Sequence, residues 1–375
     1  MPLSPDSEGH LTGGTDGGTG PSSPRLFHRP SLATEPARAA ERLSSAARNG
    51  RILRLERDVY IARRAWEEAP AWGRYGLAVA AKAHSVPYAL FCRESALLLW
   101  RVPLLTVPRS ITVRTRGRGH VGSRPARRLG TVGSGLRGFG LRRVKVPQNA
   151  PDMRTLPPAA LSVVRGPETG YRVELLEDVL IDTLPHLSKY ASAVALDAVV
   201  AGARRGGARS NEAWRSSVDR RLLVERAEGL EVKRHRRRAV EAIESAEPMS
   251  ESPGESVTRM LLADLGFPAF TLQSRIEAGG SVYWADFECE QVGLVVEFDG
   301  LTKYRGTWSA DGISGEAAAE AVIQEKLRED AIRSTGRKVL RLTWDDLKNP
   351  YRLEGQMRRA GVPQDLRRRR EPGPW

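Results

Sequence analysis

The chain has 375 residues, 40% hydrophobic and 28% charged, with 59 Lys+Arg against 45 Asp+Glu for a net charge of +14, an isoelectric point near 10.2 and a mean hydropathy of -0.40. That composition fits a globular protein of two or three domains and excludes collagen-like, low-complexity and membrane-embedded classes. No apolar run reaches the roughly eighteen residues of a spanning helix, the opening MPLSPDSEGH lacks the order of a signal peptide, and two cysteines, Cys92 and Cys289, are too few for a disulfide framework or a four-thiolate zinc site; the expected location is a reducing cytoplasm with no membrane partner.

Residues 1–36, rich in Gly, Ser, Thr and Pro, read as a disordered tail. From 37 to 150, helical patterns (Gly76 to His84, Cys92 to Trp100) mix with strand-like runs (Val59 to Ile61, Ile111 to Arg114), as in a winged helix-turn-helix. Residues 151–249 read as a helical connector. Its apolar positions Leu175, Val179, Ile181 and Leu184, then Ala191, Val194, Leu196, Val199 and Val200, fall at helical spacing. It ends in VKRHRRRA, where Lys233, Arg234, Arg236, Arg237 and Arg238 are the candidate phosphate contacts, against the plainer reading of a solvated helix face.

Residues 250–348 are the most sharply patterned. Ser252-Pro253-Gly254-Glu255 is a helix start of the capping-box type, followed by Val257, Leu261, Leu262 and Leu265 and stopped by Gly266-Phe267-Pro268. Strands are predicted over Phe270 to Ile276, Val282 to Phe287 and Leu294 to Phe298. A long helix follows over about Glu316 to Ser334, with Val322, Ile323, Leu327, Ala331 and Ile332 toward the core, ended by Gly336 before a final strand, Val339 to Thr343. Between Glu251 and Lys348 there are 11 Lys+Arg and 17 Asp+Glu, a net of −6 that leaves +20 on the remainder. An acidic segment therefore sits on a basic chain whose charge favours polyanions. Residues 349–375 read as a basic, solvated tail containing Arg367 to Arg370.

In LVVEFDG, a period of two puts Val295, Glu297 and Asp299 on one face and Leu294, Val296 and Phe298 on the other. Antiparallel pairing brings Asp286, from YWADFE, beside Glu297. Like charges this close on apolar strands need a counter-ion, and Mg²⁺ (or Mn²⁺) suits two carboxylates with positions left for phosphate oxygens. The bland readings are a capping box for Glu255, a turn for Asp299-Gly300 and a surface ion-pair ladder for Lys326 in EKLRED.

The order helix, three strands, helix, strand, with Glu255 on the first helix, Asp286 on the second strand and Glu297-x-Asp299 on the third, resembles the PD-(D/E)XK restriction-endonuclease-like fold. The closer likeness is to its very-short-patch-repair-like branch in actinobacterial proteins, through S-x-S-P-x-E-S (Ser250 to Ser256), V-V-E-F-D-G-x-x-K-Y (Val295 to Tyr304), E-K-x-R-E-D (Glu325 to Asp330) and R-x-T-W (Arg341 to Trp344). Arg57 to Ile61 and Glu94 to Trp100 loosely resemble pieces of the AbiEi-type antitoxin winged helix. The resemblance implies a multidomain α+β or α/β chain with an α-βββ-α-β nuclease core, Mg²⁺ held by Asp286 and Glu297, and in-line hydrolysis of a phosphodiester in DNA. Asp299 replaces the family's third-strand lysine, which leaves Lys303 and Lys326 as candidates for orienting the water. No His follows His235, which disfavours a histidine-assisted site.

A competing expectation is a DNA-binding regulator or antitoxin-like protein whose nuclease-like domain has lost turnover. A small-molecule cofactor is not expected: there is no G-x-x-x-x-G-K-[ST], and the glycines of GSGLRGFG precede LRRVKV, a strand-like run. Double-strand cutting would call for a homodimer, and no heptad marks one.

Overall fold

The computed structural model describes residues 26–28, 36–130, 134–147, 152–161, 166–204, 218–300 and 315–375. Among them the chain is a mixed α/β protein of twelve helices and three sheets. Strand β1 (Leu26–His28) and helix α1 (Pro36–Arg48) lead into the hairpin β2 (Ile52–Glu56) and β3 (Val59–Ala62), which form a sheet of order β1-β3-β2. The segment expected as tail thus contributes a strand, with Leu26 opposite Ile61.

Helices α2 (Arg63–Glu68) and α3 (Ala71–Ser85) follow, then β4 (Leu90–Phe91), α4 (Arg93–Leu99), β5 (Ser110–Thr115), β6 (Gly122–Arg124), β7 (Gly140–Lys145), β8 (Met153–Leu156) and β9 (Tyr171–Glu174). Strands β4 to β9 make a six-stranded sheet of order β6-β7-β5-β4-β9-β8. Because β4 pairs in parallel with β9, a division at residue 150 runs through one sheet, and Tyr171–Glu174 is strand rather than helix. Arg114 and Glu174, both buried in this sheet, meet at 2.7 Å; a charge pair this deep persists because each partner satisfies the other.

Helices α5 (Leu176–Thr183), α6 (Lys189–Arg204), α7 (Arg220–Glu228) and α8 (Lys233–Glu244) complete the first unit, and a single core runs through it from Leu53 to Ala246. The predicted apolar positions of α5 and α6 mostly fill that core, Val179 and Leu196 completely.

The second unit begins with α9 (Pro253–Asp264), then β10 (Thr271–Ala278), β11 (Ser281–Cys289), β12 (Leu294–Phe298), α10 (Gly315–Ser334) and β13 (Lys338–Leu342). The order helix, three strands, helix, strand is as predicted. The sheet order is β10-β11-β12-β13, with β10 to β12 antiparallel and β13 parallel to β12. Leu294 and Val296 pack with Val257 and Leu261 of α9, while Val295 packs with Ile332 of α10, so the strand is buried on both faces. Helix α10 meets the sheet less fully than its pattern suggested. Ile332 is buried, but Ile323 and Leu327 are more than half exposed; among the described side chains, Arg328 and Ile332 are turned to the sheet, and the side chain of Val322 lies outside them.

The expected C-terminal tail is largely ordered. After α11 (Trp344–Leu347), Asn349 caps and Pro350 opens α12 (Pro350–Ala360), whose Leu353 and Met357 are fully buried one turn apart. Arg369 reaches back to Glu354 at 3.2 Å, and the terminal Trp375 packs edge-on against Trp344.

Helix α6 ties the two units together. Ala195, Leu196 and Val199 lie in the first core, whereas Tyr190 and Val194, from the same helix, lie in the second beside Val257 and Leu261. Buried Asp197 accepts from Arg259 of α9 at 3.0 Å and from the Glu247 N–H at 2.8 Å, and Tyr190 donates to Asp264. One helix serving two cores fixes how the units face each other, and a cleft opens between them. Among the described residues no helix is long and apolar enough to cross a membrane, and both cysteines are buried and unbridged.

Candidate active site

The cleft has a volume of about 1770 Å³ and holds Glu255, Asp286, Glu297 and Asp299 on the wall made by the second unit. Each acid arrives on a different element for a local reason. Glu255 sits in the first turn of α9, where Ser252 caps by accepting the Glu255 N–H at 3.2 Å. Its carboxylate turns back to accept the Glu251 N–H at 2.8 Å and lies 3.4 Å from the Gln273 amide. The capping box therefore explains the backbone of Glu255 and not its carboxylate, which is buried and feels the charge of Asp286. Burial first, then Asp286, lift Glu255 to a pKa of about 7.

The β11–β12 ladder runs from Cys289 and Leu294 to Phe287 and Val296. The next residues in register are Asp286 and Glu297, as the strand pattern predicts. Here the ladder gives way to a side chain: Asp286 Oδ2 accepts the Phe298 N–H at 2.8 Å. Burial raises the Asp286 pKa, opposed by this hydrogen bond and by Arg328. Glu297 is raised to about 7, chiefly by burial and then by Asp286. Three acids from α9, β11 and β12 thus share one field, and burial, with Asp286 as the second cause, raises Glu255 and Glu297 to about 7.

The cation that does reach them is Arg328 of α10. It donates to Glu297 Oε1 at 2.9 Å and to the Trp284 carbonyl at 2.6 Å, with Glu325 at 3.3 Å. Arg341, opposite Glu297 on β13, holds Glu325 at 2.5 Å and Glu329 at 3.0 Å. EKLRED is therefore a cleft wall as well as an ion-pair ladder. Sequence reasoning named Lys326, which is exposed on the rim, and passed over Arg328. The available signal was helical spacing: Arg328 lies four residues before Ile332, on the face that meets the sheet, and Lys326 lies on another. Lys303 falls outside the described residues. Asp299 lines the cleft, and its N–H pairs with the Leu342 carbonyl at 2.8 Å.

Gln273, also unanticipated, adopts a left-handed backbone (φ 48°), a strained conformation for a non-glycine that aims its amide at Glu255. Close packing holds the group together. A Cβ on Gly254 would lie 1.8 Å from the Phe298 ring, so only glycine lets α9 approach β12, and Phe298 in turn packs edge-on against Trp344 at 5.2 Å.

As to metal, hard oxygen donors suit a divalent cation, and the donor set of Asp286 and Glu297 fits one chemically. Among the described residues no group of three or more His, Cys, Asp or Glu is already gathered at ligating distance; Arg328 holds one oxygen of Glu297 and the Phe298 N–H one of Asp286.

The basic helix lies elsewhere. Lys233, Arg234, Arg236, Arg237 and Arg238 are exposed on α8, which is anchored in the first core by Ala239 and Ile243. Arg238 donates to the Pro185 carbonyl at 3.1 Å and Arg237 stands 3.6 Å from Glu241, so these two are partly engaged within the protein. Comparison of the chain with family models, with curated proteins and with solved structures found no match in any of the three.

Proposed function

We propose that the chain is a DNA-associated, Mg²⁺-dependent endonuclease whose second unit is a restriction-endonuclease-like domain of the very-short-patch-repair-like kind. The observation that carries this reading is the convergence of Glu255, Asp286 and Glu297, from three different elements, on one cleft wall with pKa values pushed upward. In this reading Asp286 and Glu297 would hold the divalent ion, which supplies polarisation of the phosphoryl group and a bound water of lowered pKa. The Phe298 N–H fixes the Asp286 carboxylate, and Arg328 orients Glu297 in place of the family's lysine. Glu255, poised near neutrality, can accept or return a proton beside the scissile bond. The exposed α8 arginines and the winged-helix-like segment of the first unit would hold the DNA backbone, a contribution that falls with salt.

A specific observation favours a second reading. Arg328 already neutralises Glu297, as expected of a DNA-binding regulator that has exchanged a metal for a fixed cation. The two readings separate in one experiment: cleavage of single-stranded, duplex and mismatched DNA with Mg²⁺ or Mn²⁺, beside Asp286→Ala and Glu297→Ala proteins of verified fold. Cleavage lost in both variants establishes the nuclease. Absence of cleavage on every substrate, with salt-sensitive binding retained by both variants, leaves the regulator.

A further inference from the structure

The cleft has two unlike walls. The second unit supplies the carboxylates with Lys326, Arg328 and Arg341, while the facing wall, from the first unit, is made mostly of Trp72, Leu98, Val102, Pro103 and Leu161. From these we infer that the occupant of the cleft is a single, unpaired strand of DNA, its backbone on the carboxylate wall and a base stacked on Trp72; the inference rests on the reading of the acids as a phosphodiester site.

A duplex presents phosphate along both of its outer edges, and wedging it between these walls would press charged phosphate against apolar surface and strip its water without compensation. An unpaired strand has one charged edge and one aromatic edge, and it matches a cleft with one charged and one apolar wall. Size points the same way. At about 1770 Å³ the cleft exceeds the roughly 300–1,000 Å³ of a small-molecule site, and a stretch of several nucleotides fills it better than one.

Trp72 is carried on a well-anchored backbone. It stands in the first turn of α3, a helix otherwise buried from Tyr75 to Ala83, and the turn before it is braced by Arg74, which donates to the Ala69 and Glu67 carbonyls at 2.8 and 3.0 Å. On the same wall Arg101, held in a left-handed conformation (φ 54°), is pinned by the Ala159 and Ala160 carbonyls at 3.0 Å each. With its guanidinium engaged by those carbonyls, Arg101 leaves the wall that carries Trp72 predominantly apolar. Phe298 and Trp344 add aromatic edges across the gap. A strand drawn into the cleft also brings negative charge toward the acids, so its entry depends on a divalent ion.

The test is fluorescence anisotropy with the full chain and a labelled single-stranded oligonucleotide, the blunt duplex of the same sequence and a duplex with a single-stranded tail, in Ca²⁺ and in EDTA. The wild-type protein should bind the single strand and the tailed duplex at least tenfold more tightly than the blunt duplex in Ca²⁺. Trp72→Ala should lose about tenfold on the single strand, the size of one base–aromatic stack, with no change on the blunt duplex, and Trp72→Phe should recover most of the loss. Equal binding of blunt duplex and single strand, or a Trp72→Ala protein with undiminished single-strand affinity and a normal circular dichroism spectrum, overturns the inference. Trp72-dependent strand binding without cleavage of any DNA would leave the inference standing and remove hydrolysis. Cleavage of blunt duplex at equal rates by wild type and Trp72→Ala would do the reverse.

Discussion

Raising the pH of the metal-free protein should destabilise its second unit, and the size of the effect follows from two carboxyls. Glu255 and Glu297 have pKa values lifted to about 7 from an ordinary 4.5, so between those limits the folded state binds more protons than the unfolded one. Stability is then complete below about pH 4.5, falls as the pH rises toward 7 and levels off above it. At 1.36 kcal/mol per pH unit the interval is worth about 3 kcal/mol for each group, and about 6 kcal/mol for both would be a large part of a domain's usual 5–15 kcal/mol.

Urea unfolding in EDTA at pH 5, 6, 7 and 8, wild type beside Glu297→Gln, isolates the contribution. His186, lowered to about 4 by partial desolvation and neighbouring Arg93, contributes a slope of the opposite sign, but equally to both proteins. The variant should lose roughly half of the acid-dependent fall and should be the more stable protein at pH 8 in EDTA. Millimolar Mg²⁺ should restore wild type at pH 8, by about 2.7 kcal/mol at a hundredfold excess over Kd, and should leave Glu297→Gln nearly unchanged. Parallel pH profiles for the two proteins would refute the reasoning, because they would mean that Glu297 is ordinarily solvated.

Gly254→Ala should cost about 1–3 kcal/mol in urea unfolding through overpacking against Phe298, and calorimetric Mg²⁺ affinity should fall with it, since the Phe298 N–H positions Asp286. Asp197→Ala should strand Arg259, cost about 3 kcal/mol and split a single thermal transition into two as the cores uncouple; an unsplit transition would show that α6 is not the coupling element. Arg328→Met should raise the Glu297 pKa further, because Arg328 lowers it, and carboxyl-selective NMR titration reads the shift directly. Charge reversal of Arg234 and Arg236 should weaken duplex and single-strand binding alike and flatten its salt dependence; loss confined to one of them would exclude a backbone-only contact.

The local chemistry of the second unit was legible in the amino acids themselves. Ser252-Pro253 determines where α9 starts, because a hydroxyl cap and a ring-fixed φ act within four residues. The unbroken apolar run Leu294-Val295-Val296 determines which strand is buried on both faces, and the period of two sets Asp286 across from Glu297 once the strands pair. Asn349-Pro350 with Leu353 and Met357 carried the same kind of signal for α12, which a run of arginines obscured.

What local pattern could not decide was which distant groups share a field. That Arg328 rather than Lys326 meets Glu297 depends on how α10 leans on the sheet, and that Glu255 is held near pH 7 depends on its burial and on Asp286, which arrives from another element. The six-stranded sheet crosses residue 150 because β4 and β9 pair in parallel over some eighty residues of chain. The cleft exists because one helix, α6, is apolar on two sides and serves two cores. Desolvation and Coulomb forces act through space, and so the chain alone named the acids while only its packing set their charge, their cation and the wall they face.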